Sequence, residues 1–286
     1  MPTAAPARPA RRDDAAPPLL RIAGVGVRFG AQDVLRDISL DLDAGRTLVI
    51  LGESGCGKTV LLKTMIGLIR PTAGDVLFEG RALARMGERE LTGLRTRYGF
   101  VFQGAALFDS LSIADNIAFP LREHTRVSEA EIADIVVALV DEVGLPRSAL
   151  AKKPVELSGG MRKRAGLARA LALDPQVVLY DEPTTGLDPI RSDVINELIL
   201  KLKRELRVTS IVVTHDLASA FKVADHMVMM HEGSVVLRGS PEEFRQSDNP
   251  VVRRFLRGEA SEEELRAIRE VGAENRAASR RTGGAR

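Results

Sequence analysis

From Leu20 to Asp43 the chain alternates between apolar and polar positions. Ile38, Leu40 and Leu42 point one way, with Ser39, Asp41 and Asp43 between them, which predicts a half-buried strand. The region reads as a small antiparallel sheet placed ahead of an α/β core. Four shorter runs are apolar nearly throughout: Thr47–Leu51, Tyr98–Phe102, Val177–Tyr180 and Ser210–Thr214. They are too short for buried helices and predict buried strands. Gly74–Gly80, His226–His231 and Val235–Arg238 add further strands. A helix is expected over Lys58–Ile69, stopped by Pro71. Ser128–Val143 is the clearest helix: Ser128 and Glu131 form a capping box, and Gly144 ends it. Its apolar face, Ile132, Ile135, Val136, Leu139, Val140 and Val143, reads as core. Lying between Gln103 and Ser158, it reads as an insertion into the α/β core. A further helix opens at Leu157–Met161 and runs to about Leu173. Beyond about Pro241 the pattern is charged and helical, and Ser261–Val271 predicts a capped helix.

Composition narrows the class. The 286 residues suffice for one large domain or two small ones. With 41 basic and 39 acidic residues there is no electrostatic footprint for nucleic acid. The lone Cys56 allows no intrachain disulfide and suggests a reducing compartment. No apolar run approaches the roughly 18 residues of a spanning helix. Residues 1–18 are rich in Ala, Pro and Arg, lack the apolar stretch of a secretory signal, and are expected to be disordered. The Ala-, Gly- and Arg-rich residues 272–286 are expected to fray.

The chemistry centres on Gly52-Glu53-Ser54-Gly55-Cys56-Gly57-Lys58-Thr59, a phosphate-binding loop in the strand–loop–helix context it requires. Its glycines let backbone N–H groups turn inward, and the helix N-terminus adds partial positive charge. Lys58 supplies a full charge, and the Thr59 hydroxyl can ligate Mg²⁺. Asp181 and Glu182 end an apolar strand: the first can hold the metal, the second can orient or deprotonate a water. Gln103 and His215 also stand at strand ends, where they can reach a metal, a water or a γ-phosphate. Ser158-Gly159-Gly160 at a helix start offers N–H groups and a hydroxyl to an anion, or is a plain cap. Arg162, Lys163 and Arg164 come next, where the helix dipole disfavours cations; they fit a site for a polyanion or a solvated basic face. Phe29, in the turn Arg28-Phe29-Gly30, could stack on a base, although spacing alone favours a core ring.

The ordered set resembles ABC-type ATPase subunits over roughly residues 20–245. GESGCGKT resembles Walker A, Gln103 the Q-loop, LSGGM the signature, VVLYDE Walker B, Gly186-Leu187-Asp188 the D-loop and His215 the H-loop. The resemblance implies an α/β cassette: an antiparallel β subdomain, a RecA-like parallel-sheet core and an inserted helical subdomain at about 104–165. The catalytic domain would span 19–256, between the N-terminal extension 1–18 and a charged tail 257–286. Two copies would pair head to tail around two ATP molecules. Gly52 to Val60 would hold the nucleotide of their own chain, and Phe29, where Tyr is common, would stack on its adenine. Thr59, Gln103 and Asp181 would position Mg²⁺, Glu182 would be the general base, and His215 would hold the γ-phosphate. Ser158, Gly159 and Gly160 would reach the other copy's nucleotide, and Asp188 would couple the two sites.

Residues 104–125, GAALFDSLSIADNIAFPLREHT, and Glu156–Arg164 are similar to the ATPases of Mla/Mce-type lipid transporters. That resemblance implies phospholipid or other hydrophobic cargo. It also implies a membrane permease, an Mce-domain protein and a STAS-domain accessory subunit, with the ATPase held at the cytoplasmic face of the inner membrane through these partners. Conventional solute importers, such as those for amino acids, share every catalytic motif. A soluble ABC ATPase is a remoter alternative, because the chain has one cassette and no long coiled-coil insertion. The tail helix is expected to dock on a neighbouring subunit or to be a solvated extension.

Overall fold

The computed structural model describes residues 17–260 and Arg266. The expected N-terminal extension up to residue 16 and, Arg266 apart, the expected helix over Ser261–Val271 lie outside the described residues. Strands β1 (Leu20–Phe29) and β2 (Gln32–Leu42) pair antiparallel, as the alternation predicts. Ile38, Leu40 and Leu42 are buried, while Ser39 and Asp41 are exposed. After β3 (Thr47–Gly52) and helix α1 (Lys58–Met65), the chain returns to this sheet with β4 (Ala73–Phe78) and β5 (Arg81–Ala82), giving the order β2-β1-β4-β5.

Helix α1 ends earlier than Pro71 would require. Gly67 takes φ +68°, its N–H reaches the Thr64 carbonyl, and the Leu68 N–H reaches the Lys63 carbonyl. This paired closure on a left-handed glycine stops the helix before proline matters.

The second sheet is built on β3, with β6 (Tyr98–Val101), β7 (Val177–Asp181), β8 (Thr209–Thr214), β9 (His226–His231) and β10 (Ser234–Gly239). Its order is β10-β9-β3-β8-β7-β6, parallel except for the β10 edge. The apolar runs lack alternation because both faces are covered. Leu48 and Ile50 join the core shared with α1 and the antiparallel sheet, whereas Val49 and Leu51 join the core on the other face. Leu179 and Tyr180 divide in the same way.

Helices α2 (Glu88–Arg95), α3 (Ile113–His124), α4 (Glu129–Glu142) and α5 (Gly159–Leu171) occupy the middle of the chain. The capping box of α4 forms as expected, and α3, α4 and α5 pack on one another. Helices α6 (Pro189–Leu206), α7 (Leu217–Val223), α8 (Pro241–Arg245) and α9 (Pro250–Arg257) complete the described fold. Register places the exits of β3, β8, β7 and β6 along one edge, with Leu51 opposite Thr214, Asp181 opposite Val213, and Val101 opposite Tyr180. Every strand-end residue singled out for chemistry lies on that edge.

Candidate functional site

The phosphate loop leaves β3 through Gly52 and enters α1 through Gly57. A Cβ on Gly52 would lie 2.5 Å from the Met230 carbonyl oxygen and 2.6 Å from Cys56 Sγ. Gly57, at φ +101°, would bring a Cβ within 2.8 Å of Leu35 and 2.9 Å of the Val34 carbonyl oxygen. The cradle therefore admits only glycine at both ends. No side chain caps α1, so its first amides remain for an anion. Buried Lys58 donates from Nζ to the Gly52 carbonyl at 2.7 Å and the Glu53 carbonyl at 2.8 Å. Its charge is thereby held across the loop mouth. Ser54 and Gly55 are exposed at the tip, and Val60 is half-buried on α1. Cys56 forms the loop floor, 7% exposed, and burial pushes its thiol up from its ordinary range.

Phe29 is not a core ring. It closes β1 with half its surface exposed, beside the Arg28–Asp33 ion pair. Next to this turn an open depression of about 340 Å³ is lined by Asp33, Val34, Arg36, Gly233 and the loop residue Gly55. A base and sugar could lie there with the phosphates in the loop.

Thr59 and Asp181 meet although 122 positions apart: Thr59 Oγ1 is 3.5 Å from Asp181 Oδ2. Burial, and then the neighbouring Glu182 charge, raises Asp181 above the ordinary carboxylate range. Among the described residues no group of three or more His, Cys, Asp or Glu could hold a metal alone. A hydroxyl and one carboxylate are too few ligands for Mg²⁺ by themselves, but fit an ion that takes its remaining ligands from phosphate and water. Gln103 is exposed beyond β6, the strand next to β7.

Glu182 adopts φ +51°, a left-handed conformation costly for a residue with a side chain. This turn draws its carboxylate back over the sheet edge, where it is only 13% exposed. Glu182 Oε2 lies 2.9 Å from His215 Nδ1 and accepts from Thr185 Oγ1 at 3.1 Å. Asp216, next to His215, accepts from the Ala218 N–H at the start of α7, and its second oxygen accepts from Ser219 Oγ at 2.6 Å and Thr184 Oγ1 at 3.5 Å. The carboxylate and imidazole thus form one pair from adjacent strand ends.

Ser158, Gly159 and Gly160 stand apart from that cluster. Ser158 is exposed and caps α5, accepting from the Met161 N–H at 3.4 Å. Gly159 and Gly160 adjoin Leu187 and Arg191, and no residue of the phosphate loop lies within 4 Å of a Cβ built on either. Asp188 caps α6, accepting from the Arg191 N–H at 2.9 Å. One chain therefore holds the signature residues away from its own phosphate cradle.

The three cations after Gly160 are tied to backbone carbonyls of their own chain. Arg162 donates to the Leu157 carbonyl at 2.6 Å and Arg164 to the Gly144 carbonyl at 2.5 Å. Lys163 is buried, and its Nζ donates to the carbonyls of Gln103 and Glu182. The misplaced cations are visible in the sequence, but their direction is not. Nor does sequence reasoning find Arg254 of α9, which donates to the loop residue Glu53 at 3.1 Å, or His231, 3.7 Å from the same carboxylate. Those contacts span long stretches of chain and leave no local pattern.

In the segment 104–125, buried Asn116 holds the turn at Phe108 by accepting from its N–H at 2.7 Å and donating to its carbonyl at 3.1 Å. Phe108 and Phe119 pack at 4.9 Å between ring centres and remain substantially exposed.

Comparisons with known proteins identify the family and the fold. The family model described as ABC transporter matches residues 35–185. The chain is 46% identical over 239 residues to the probable ribonucleotide transport ATP-binding protein mkl of Mycobacterium leprae, an alignment covering 84% of this chain and 69% of that protein. It is 42% identical over 242 residues to the intermembrane phospholipid transport system ATP-binding protein MlaF of Haemophilus influenzae, covering 85% of this chain and 91% of that one. Its fold matches the dimeric ATP-binding cassette MJ0796 in a post-hydrolysis state bound to ADP and Pi, with a TM-score of 0.72 at 29% identity, over 78% of this chain and 98% of that one.

Proposed function

Because this chain belongs to the ABC transporter family as an ATP-binding and ATP-hydrolysing subunit, we propose that it powers the movement of phospholipid or another hydrophobic cargo between envelope membranes. The observation that carries the lipid reading is the likeness to MlaF over 91% of that protein's length, with the exposed Phe108–Phe119 pair in the similar 104–125 segment. A permease of apolar contact chemistry would suit that pair. An Mce-domain protein and a STAS-domain subunit are the further partners of this reading. No helix of the described residues is long and apolar enough to cross a membrane, and in this reading the chain would sit peripherally on the cytoplasmic face through these subunits. The words ribonucleotide transport in the name of mkl supply a second reading of the cargo.

The catalytic assignment rests on the site. Lys58 and the amides of the loop would hold the ATP phosphates, with Phe29 against the base. Thr59, Asp181 and Gln103 would hold Mg²⁺, which would neutralise charge on the phosphoryl group in transfer. Glu182 would take a proton from the attacking water, with Thr185 holding its Oε2. His215, now on Oε2, would turn its imidazole to the γ-phosphate. Ser158 to Gly160 would complete the site of a second copy, with Asp188 between the two. We take 19–256 as the catalytic unit, with the helical insertion at about 104–165.

Glu182→Gln should keep ATP binding and reduce turnover by a factor of about a hundred or more, since removal of a positioned base forfeits that much. Retention of more than a few per cent of turnover would remove Glu182 from the role. For the cargo, the tagged chain purified gently from its own membranes should bring a permease and an Mce-domain protein, with extractable phospholipid. A periplasmic solute-binding partner in their place would return the chain to the conventional importers.

A further inference from the structure

Lys163 is a buried cation to which the catalytic assignment gives no role. It lies on α5, five residues after Ser158, and is 7% exposed. Stripping water from an ammonium is expensive, and a methionine of similar length could fill the space without that penalty. Burial lowers its affinity for a proton, with the nearby Glu182 and Asp181 charges opposing that loss. A charge kept at such expense implies a use for its hydrogen bonds. These run to two backbone carbonyls, those of Gln103 and Glu182, at the exits of neighbouring strands. One of the two residues is the left-handed Glu182.

The same helix grips the loop after β6 twice more. Gly166 packs so closely that an added Cβ would be 3.1 Å from that of Ala105. Arg169 donates to the Ala105 carbonyl at 3.0 Å and the Ala106 carbonyl at 2.9 Å. Ala105 and Ala106 are also left-handed, at φ +62° and +47°. Three strained residues on two strand exits are thus held by one helix, whose Lys163 and Arg169 bind the backbone carbonyls of those exits. Strain of this kind persists only where the surroundings over-determine it.

We propose that Lys163 is a positioning residue for ATP hydrolysis: it fixes the backbone of Gln103 and Glu182 so that both side chains meet the nucleotide of their own chain, and it does so from the helix whose first residues serve the nucleotide of the second copy. Occupancy of the partner's site is thereby transmitted to the general base through a single helix. This rests on the reading of Glu182 as base and of Ser158 as a contact across the dimer.

The test compares Lys163→Met, Lys163→Arg and Glu182→Gln in the transporter complex purified from its membrane. Lys163→Met should lower kcat by about ten- to a hundredfold, the range of a small misplacement of a catalytic group. The KM for ATP should change less than about threefold, because the phosphate loop is untouched. Lys163→Arg keeps donors for both carbonyls and should recover most of the lost kcat. Lys163→Met at more than half the parental kcat, with Glu182→Gln inactive, overturns the role of Lys163 alone. Active Glu182→Gln overturns the base assignment and this inference with it. Loss of kcat together with ATP binding and thermal stability, unrelieved by arginine, makes Lys163 a structural prop and also overturns the proposal.

Discussion

Two helix N-termini in this chain carry the residues proposed to meet nucleotide, and they are built in opposite ways. Helix α1 begins at left-handed Gly57 with no side-chain cap, and its amides open into a cradle already shaped by Gly52, Gly57 and Lys58. Helix α5 begins at Ser158, whose hydroxyl closes its own first turn, and it faces solvent beside Leu187 and Arg191. The first is an anion site within one chain. The second is a capped helix, which in the proposed reading meets the nucleotide of a second copy. Lys58 and the cations of α5 all donate to backbone carbonyls, but Lys58 does so within the phosphate loop itself, whereas those of α5 do so to carbonyls other than those of Ser158, Gly159 and Gly160. In the proposed dimer this asymmetry lets each cradle bind nucleotide by itself, while contact of the signature end with nucleotide depends on pairing.

The comparison is broken most severely at Gly57. Gly57→Ala places a methyl 2.8 Å from Leu35 at φ +101°. ATP affinity of the single chain should fall at least about a hundredfold, the equivalent of about 3 kcal/mol of strain and clash. Equilibrium binding of a fluorescent ATP analogue measures it, and near-parental affinity would mean that the cradle is not rigid. Ser158→Ala tests the other helix. Binding to the single chain should be unchanged, turnover should fall about tenfold through the lost contact across the dimer, and the missing cap should cost about 1 kcal/mol in melting. Equal loss of binding and turnover would place Ser158 in its own chain's site. The smallest effect concerns Cys56. The thiolate is the reactive form, and burial raises the thiol, so alkylation by iodoacetamide at pH 8 should be slower than for a free thiol. Its rate should climb at pH values above the ordinary thiol range, with ATP protecting the loop and any adduct blocking it. Rapid reaction at neutral pH would show that the loop floor opens.

The features legible in the sequence share a physical cause. The phosphate loop, the carboxylate pair after VVLY and the cap at Ser128 are local patterns, and local chemistry fixes local backbone. The strand runs are equally plain because two-sided burial writes itself as uninterrupted apolar sequence. Helix α1 reads too long because Pro71 is a stronger stop signal on paper than Gly67, whose closure depends on the turn it makes. Phe29 reads as core because spacing alone does not separate an exposed ring at a strand's end from a packed one. The inward course of Lys163 and the Arg254–Glu53 contact depend on where distant segments arrive, and no periodicity encodes that.

The left-handed turn at Glu182 has a consequence for sequence choice. Glycine would adopt that backbone freely, so a glutamate there costs on the order of 1 kcal/mol or more of folding stability. Selection for thermal robustness alone would therefore drift away from the carboxylate at the centre of the site. Computational stabilisation of this chain has to hold position 182 fixed, because the glycine it would favour there would, with Glu182 as the proposed base, remove turnover.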